Sequence, residues 1–155
     1  MLVQERIERI EFFEGEYAFL DNGAPAVVLL NGIAYPTVEH AYHASKTLAA
    51  ENREIIRQAP NARAARRLAS WMEPIENWRA VRLDVMSSLI AQKYAAGGSY
   101  AEQLLATADA ELRFGNCWDE TFWGVCCGVG RNHLGRLLMA RRDWLRSTVP
   151  ATRAA

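Results

Sequence analysis

The chain has 155 residues, of which half are hydrophobic and 23% charged, with eighteen Lys plus Arg against eighteen Asp plus Glu. That length suits one domain that buries a core without disulfide or metal staples, and the composition excludes a disordered or fibrous protein. Zero formal net charge excludes general electrostatic capture of DNA or membrane, so a nucleic-acid substrate must be recognised locally.

The N-terminal stretch MLVQERIERIEFFEGE alternates charged with apolar residues and offers no apolar run for a signal peptide or a membrane span. Ile7 to Phe13 and Val27 to Tyr35 are rich in β-branched, aromatic and aliphatic residues. Asn31-Gly32 inside the second run is a two-residue type I′ turn signal and predicts a hairpin. Past Pro36 the pattern becomes helical. Thr37 is placed to accept hydrogen bonds from the first turn, and one helix is expected from there to about Gln58.

Asn61 to Ser70 predicts a short basic helix after Pro60, and Asn77 is placed to cap a longer one from Trp78 to Ala95. On that helix Trp78, Val81, Val85, Met86, Leu89 and Ile90 fall near one face, and Gly97-Gly98 ends it. Ser99 with Glu102 reads as a capping box for a helix from Tyr100 to Ala110. Arg113 to Arg131 has too much Gly and too little periodicity for regular structure and reads as a long loop, which in a compact domain points to function. A last amphipathic helix is predicted from His133 to Ser147, with Leu134, Leu137, Leu138, Arg141 and Leu145 at helical spacing, and the tail from residue 149 is expected to fray. The expected fold class is α+β, mainly α-helical, with a small antiparallel β element near the N-terminus, in one domain over residues 1–148.

Three constellations carry possible chemistry. In TVEHAYHASK, Thr37 to Lys46, Glu39 sits in the first helical turn, where the macrodipole favours its ionised form. Glu39, His43 and Lys46 recur at spacings of four and three and share one side of the helix, so one pocket can hold them all; an ordinary solvated helix face is the alternative. Glu39, His40 and His43 do not make a zinc helix, because HExxH needs histidines four apart with the Glu between them, and no metal is expected. In the second constellation, Gly115 to Gly135, Asp119 lies between Trp118 and Trp123, whose faces suit a nucleobase beside a carboxylate or else fill the core. Gly124, Gly128, Gly130 and Asn132 precede a helix, where backbone N–H groups can cradle a phosphate or simply make tight turns. The third constellation is Arg63, Arg66 and Arg67, either phosphate ligands or a solvated helix surface. Cys117, Cys126 and Cys127 have neither zinc-site nor disulfide-framework spacing, which suggests a reducing, cytoplasmic compartment.

FLDN at Phe19 to Asn22, NGIAYPTVEHAYHASK at Asn31 to Lys46, the Trp78 to Met86 spacing in WRAVRLDVM, and GNCWDETFWG followed by GRNHLGRLLMARR together resemble the NADAR family of N-glycosidases. The resemblance spans nearly the whole chain and implies cleavage of a ribosyl C1–N bond without a cofactor. The implied substrates are a phosphoribosylamino-pyrimidine of riboflavin synthesis or ADP-ribose on guanine in DNA or RNA, and a non-catalytic ADP-ribose reader is the alternative from another class. By this resemblance Glu39, Lys46 and Asp119 are the catalytic candidates. Asn22, His43, Trp78, Asn116, Trp118, Trp123, Gly124 and Asn132 are the substrate-binding ones. Asn22 matches the family's FLSNF-like segment, whereas Asp21 and Gly23 depart from it.

Overall fold

The computed structural model describes residues 5–148, so the expected fraying of residues 149–155 lies outside it. In chain order it contains β1 (Arg9–Ile10), a 3₁₀ helix (Gly15–Leu20), β2 (Val28–Leu30), β3 (Ile33–Tyr35), α1 (Val38–Ala44), α2 (Ala50–Arg57), α3 (Ala62–Ala69), α4 (Trp78–Lys93), α5 (Ser99–Ala106), β4 (Glu111–Leu112), β5 (Gly115–Asn116), β6 (Val125–Cys126) and α6 (His133–Thr148). The class is α+β and mainly helical, as the sequence predicts. None of the described helices is long and apolar enough to cross a membrane. Contacts divide the chain into two compact units, residues 21–95 and residues 1–20 with 96–155.

In the unit of residues 21–95, β2 and β3 form the expected antiparallel hairpin, with Leu30 opposite Ile33. Asn31 and Gly32 both take positive φ, +50° and +79°, as a type I′ turn demands. Helix α1 lies among α2, α3 and α4 and is also packed by the hairpin strands. Six of its seven residues are buried, Ala41 and Ala44 among them. Thr37 caps it: the His40 N–H donates to Thr37 Oγ1 at 3.1 Å. The same hydroxyl reaches His40 Nδ1 at 2.7 Å, and His40 Nε2 lies 3.1 Å from the carbonyl oxygen of Ala59. A carbonyl only accepts, so Nε2 carries the proton and Nδ1 accepts from Thr37. His40 is thereby occupied as a structural clasp.

The single helix expected from Thr37 to Gln58 is two helices. Ser45 Oγ donates to the Tyr42 carbonyl, the Ala49 N–H donates to Thr47 Oγ1, and the Lys46 carbonyl accepts from the Ile75 N–H at 2.8 Å. Short hydroxyl side chains here offer the backbone local partners that compete with the helical ladder. Asn61 caps α3 through the Ala64 N–H at 2.8 Å. Asn77, by contrast, makes no side-chain cap on α4, which ends at Lys93.

In the other unit, α5 packs on α6 and on the 3₁₀ helix, and β4 packs on α6. Leu134, Leu138 and Leu145 are buried on the predicted face of α6, as is Arg142, which donates to Thr107 Oγ1 and the Ala110 carbonyl. Helix α5 starts one residue earlier than predicted, after Gly98 rather than on a Ser99 capping box, and stops at Ala106, where Thr107 turns its hydroxyl onto the Leu104 carbonyl and Ala108 takes φ +52°. The segment read as one loop contains two strands. β5 pairs in parallel with β6, and β4 just before it pairs in parallel with β1. Two-residue strands are too short to show a period, so only long-range pairing reveals them.

Replacing Thr37 by Val keeps the shape and removes both hydrogen-bonding roles of the hydroxyl. We expect a loss of about 1–3 kcal/mol, seen as a lower urea midpoint at unchanged slope; an unchanged midpoint would show that this clasp does not hold α1.

Candidate active site

The candidate residues fall in both units, and each group is described within its own. In residues 21–95, the loop Asp21–Gly23 is stitched to the start of α1. The Asn22 carbonyl accepts the Glu39 N–H at 3.0 Å, and the Asn22 side-chain amide points at Met86 Sδ, 3.5 Å away. One turn further, His43 Nε2 lies 2.8 Å from Glu39 Oε1. Only 21% of the Glu39 side chain and 6% of the His43 side chain are exposed, so this is no solvated helix face. The His43 Nδ1 atom is buried without a hydrogen-bond partner among the described residues. Burial opposes ionisation of Glu39, but the hydrogen bond from His43 and the positive charges of His43, Arg66 and Lys46 outweigh it and hold its pKa below the ordinary value.

Lys46 lies beyond the end of α1, in the turn that breaks the expected helix, with its ammonium 5.5 Å from the centre of the Tyr42 ring. Trp78, the first residue of α4, is buried with its ring 5.2 Å from that of Tyr42. Glu39, His43, Lys46 and Trp78 therefore gather around Tyr42 and α1. Two further groups join them that the motif reading did not select. Asp21 gives Oδ1 to the Gly23 N–H at 2.6 Å, and Lys93 donates to the Asp21 backbone carbonyl at 2.7 Å. Burial pushes the Lys93 pKa down to about 8, with the Asp21 charge partly opposing. Burial also raises the Asp21 pKa, helped by the Glu39 charge and opposed by the Gly23 N–H, Lys93 and Arg66. Asp21 was visible in the sequence only as a departure from a pattern. Lys93 gave no signal, since a lysine in the last turn of a helix is ordinary.

In the other unit, Asn116 and Asn132 are builders of the loop. Asn116 accepts from the Glu120 N–H and donates to the Glu120 carbonyl, while Asn132 accepts from the Phe114 N–H and donates to the Leu112 carbonyl. With their amides so occupied, these side chains are corrected from ligand donors to scaffold. Gly124 is likewise explained by packing: a Cβ there would sit 2.1 Å from the Phe114 carbonyl oxygen. Glu120, which the motif reading passed over, takes the Phe122 and Trp123 N–H groups on one carboxylate oxygen. Trp123 meets Phe122 edge to face, whereas Trp118 is 53% exposed beside Phe114. Asp119 is exposed in the turn between them, at φ +65°. Short polar residues reach that conformation most readily, so the position suits its aspartate.

The NADAR domain family model matches residues 6–146. The N-glycosidase YbiA of Escherichia coli is 31% identical over 147 residues, covering 93% of this chain and 91% of that protein. A riboflavin biosynthesis protein of Vibrio vulnificus is 34% identical over 148 residues, 91% of this chain, which spans 40% of the length of that longer relative. The NMR structure of the E. coli protein YbiA superimposes with a TM-score of 0.79 at 28% identity, covering 99% of this chain and 94% of that one. The chain belongs to the NADAR domain family. It is a hydrolase of N-glycosyl compounds, an N-glycosidase.

The depressed Glu39 pKa has a consequence for stability. A carboxylate whose folded pKa lies below its unfolded value contributes stability above the unfolded pKa and loses it as pH falls through the folded one. The fall in Tm of the wild type on acidification below about pH 5 should be shallower in Glu39→Gln; parallel curves would mean that the pair with His43 does not hold Glu39 ionised.

Proposed function

We propose that the chain hydrolyses a ribosyl C1–N bond and that its substrate is ADP-ribose attached to guanine in nucleic acid. The observation that carries this reading is a buried glutamate kept ionised by His43, Arg66 and Lys46. Loss of a base from ribose leaves C1 with oxocarbenium character, and an ionised carboxylate facing the sugar stabilises that charge. Glu39 takes this role. Arg63, Arg66 and Arg67 are exposed on α3, and Arg66 is close enough for its charge to act on Glu39, which favours a substrate carrying phosphate groups. The exposed Trp118 is proposed as a stacking face for the base. Asp119 enters the catalytic set on the family pattern alone, with residues 1–148 as the functional domain.

A second reading has one observation in its favour, the riboflavin biosynthesis name of the Vibrio vulnificus relative. On that reading the substrate is a phosphoribosylamino-pyrimidine, cleaved by the same chemistry.

Wild type and Glu39→Gln, incubated separately with ADP-ribosylated guanine DNA and with the phosphoribosylamino-pyrimidine, decide the substrate by mass spectrometry. The expected outcome is release of ADP-ribose by wild type and a loss of at least about 10²-fold in Glu39→Gln. Release of ribose 5-phosphate alone would select the second reading. Binding of ADP-ribose without release from either substrate would make the protein a reader. Lys46 offers a competing route, attack on the opened ribose aldehyde to give a Schiff base. With Glu39 in place we expect borohydride during turnover to leave Lys46 unmodified; a reduced ribosyl adduct on Lys46 would replace the carboxylate route.

A further inference from the structure

We propose that Asp21 is the acid that protonates the departing base, a catalytic residue that this chain has where the family pattern carries serine. The proposal rests on the glycosidase reading above. Geometry places Asp21 beside Glu39: it directly precedes Asn22, whose carbonyl holds the Glu39 N–H at 3.0 Å. Its own carbonyl is pinned by Lys93 at 2.7 Å and its Oδ1 by the Gly23 N–H at 2.6 Å, so the carboxyl is positioned by three elements of the same unit. The charged groups acting on it are Glu39 from α1, Arg66 from α3 and Lys93 from α4.

Two carboxyl groups in one electrostatic environment are here driven apart. Burial and the Glu39 charge favour the protonated form of Asp21, while His43, Arg66 and Lys46 favour the ionised form of Glu39. That separation is how a pair of carboxyls divides into an acid and an anionic stabiliser. In the step itself the C1–N bond breaks with its electron pair moving to the nitrogen. The Asp21 proton goes to that nitrogen and leaves Asp21 as carboxylate, while Glu39 faces the cationic sugar. Water then bonds to C1, and the proton it releases restores Asp21. The sum is addition of water across the C1–N bond, with no other reactant.

The test is kcat against pH for wild type, Asp21→Asn and Asp21→Ser on whichever of the two substrates wild type cleaves. Asparagine keeps the oxygen that accepts the Gly23 N–H and removes only the transferable proton. Because a raised pKa means that ionising Asp21 costs folded-state stability as pH rises, Asp21→Asn should melt no lower than wild type at neutral pH. Wild-type kcat should fall as pH rises through the pKa of the acid. Both variants should lose about 10²-fold or more in kcat and show no such basic limb. A variant within threefold of wild type, or one that keeps the wild-type basic limb, overturns the role of Asp21 while leaving the glycosidase reading intact. No release by wild type from either substrate overturns the glycosidase reading itself, and Asp21 with it.

Discussion

Burial of a seven-residue helix that carries a carboxylate is the constraint on which the residue 21–95 unit depends. So short a helix does not hold in water by itself, because few hydrogen bonds repay the cost of its nucleus. Here it is held by the Thr37–His40 clasp at one end, by the Asn22 carbonyl on the Glu39 N–H, and by three helices packed around it. Those contacts bring Glu39 out of water, and removal from water would by itself neutralise it. His43, one turn along the same helix, supplies the partner that keeps it charged.

The charge arrangement around α1 follows from that choice. Arg66 and Lys46 add positive potential to Glu39, and Lys93 ties down the loop that holds Asp21. A site with several ionisable groups and little water has strong interactions among its members, so that each group's protonation depends on its neighbours. The elements that contribute these groups are α1, α3, α4 and the loop before the hairpin, all within one compact unit. The Gly-rich segment of the other unit uses its polar side chains differently. Asn116, Glu120 and Asn132 bind backbone and fix the turn in which Trp118 and Asp119 are exposed.

The elements with a local signal were legible. The hairpin turn needed only Asn-Gly, the start of α1 only a threonine after proline, and α6 only its leucine period. The break after Ala44 was not legible, because the hydroxyls of Ser45 and Thr47 are compatible with a helix until the Lys46 carbonyl is claimed by Ile75. The same limit applies to the site. Glu39, His43 and Lys46 stood out by spacing, yet whether that face met water or protein depended on helices whose packing leaves no mark within the motif.

The sequence by itself determined the residue types, the family pattern, the hairpin and the faces of the longer helices, because turn chemistry and helical periodicity are local. Only the tertiary structure decided that His40 is a clasp and His43 a partner of Glu39, that Asn116 and Asn132 are scaffold, and that Asp21 and Lys93 belong with the carboxylate of α1. Those assignments depend on burial and on which charges approach each other across many residues of chain, and both are set by packing.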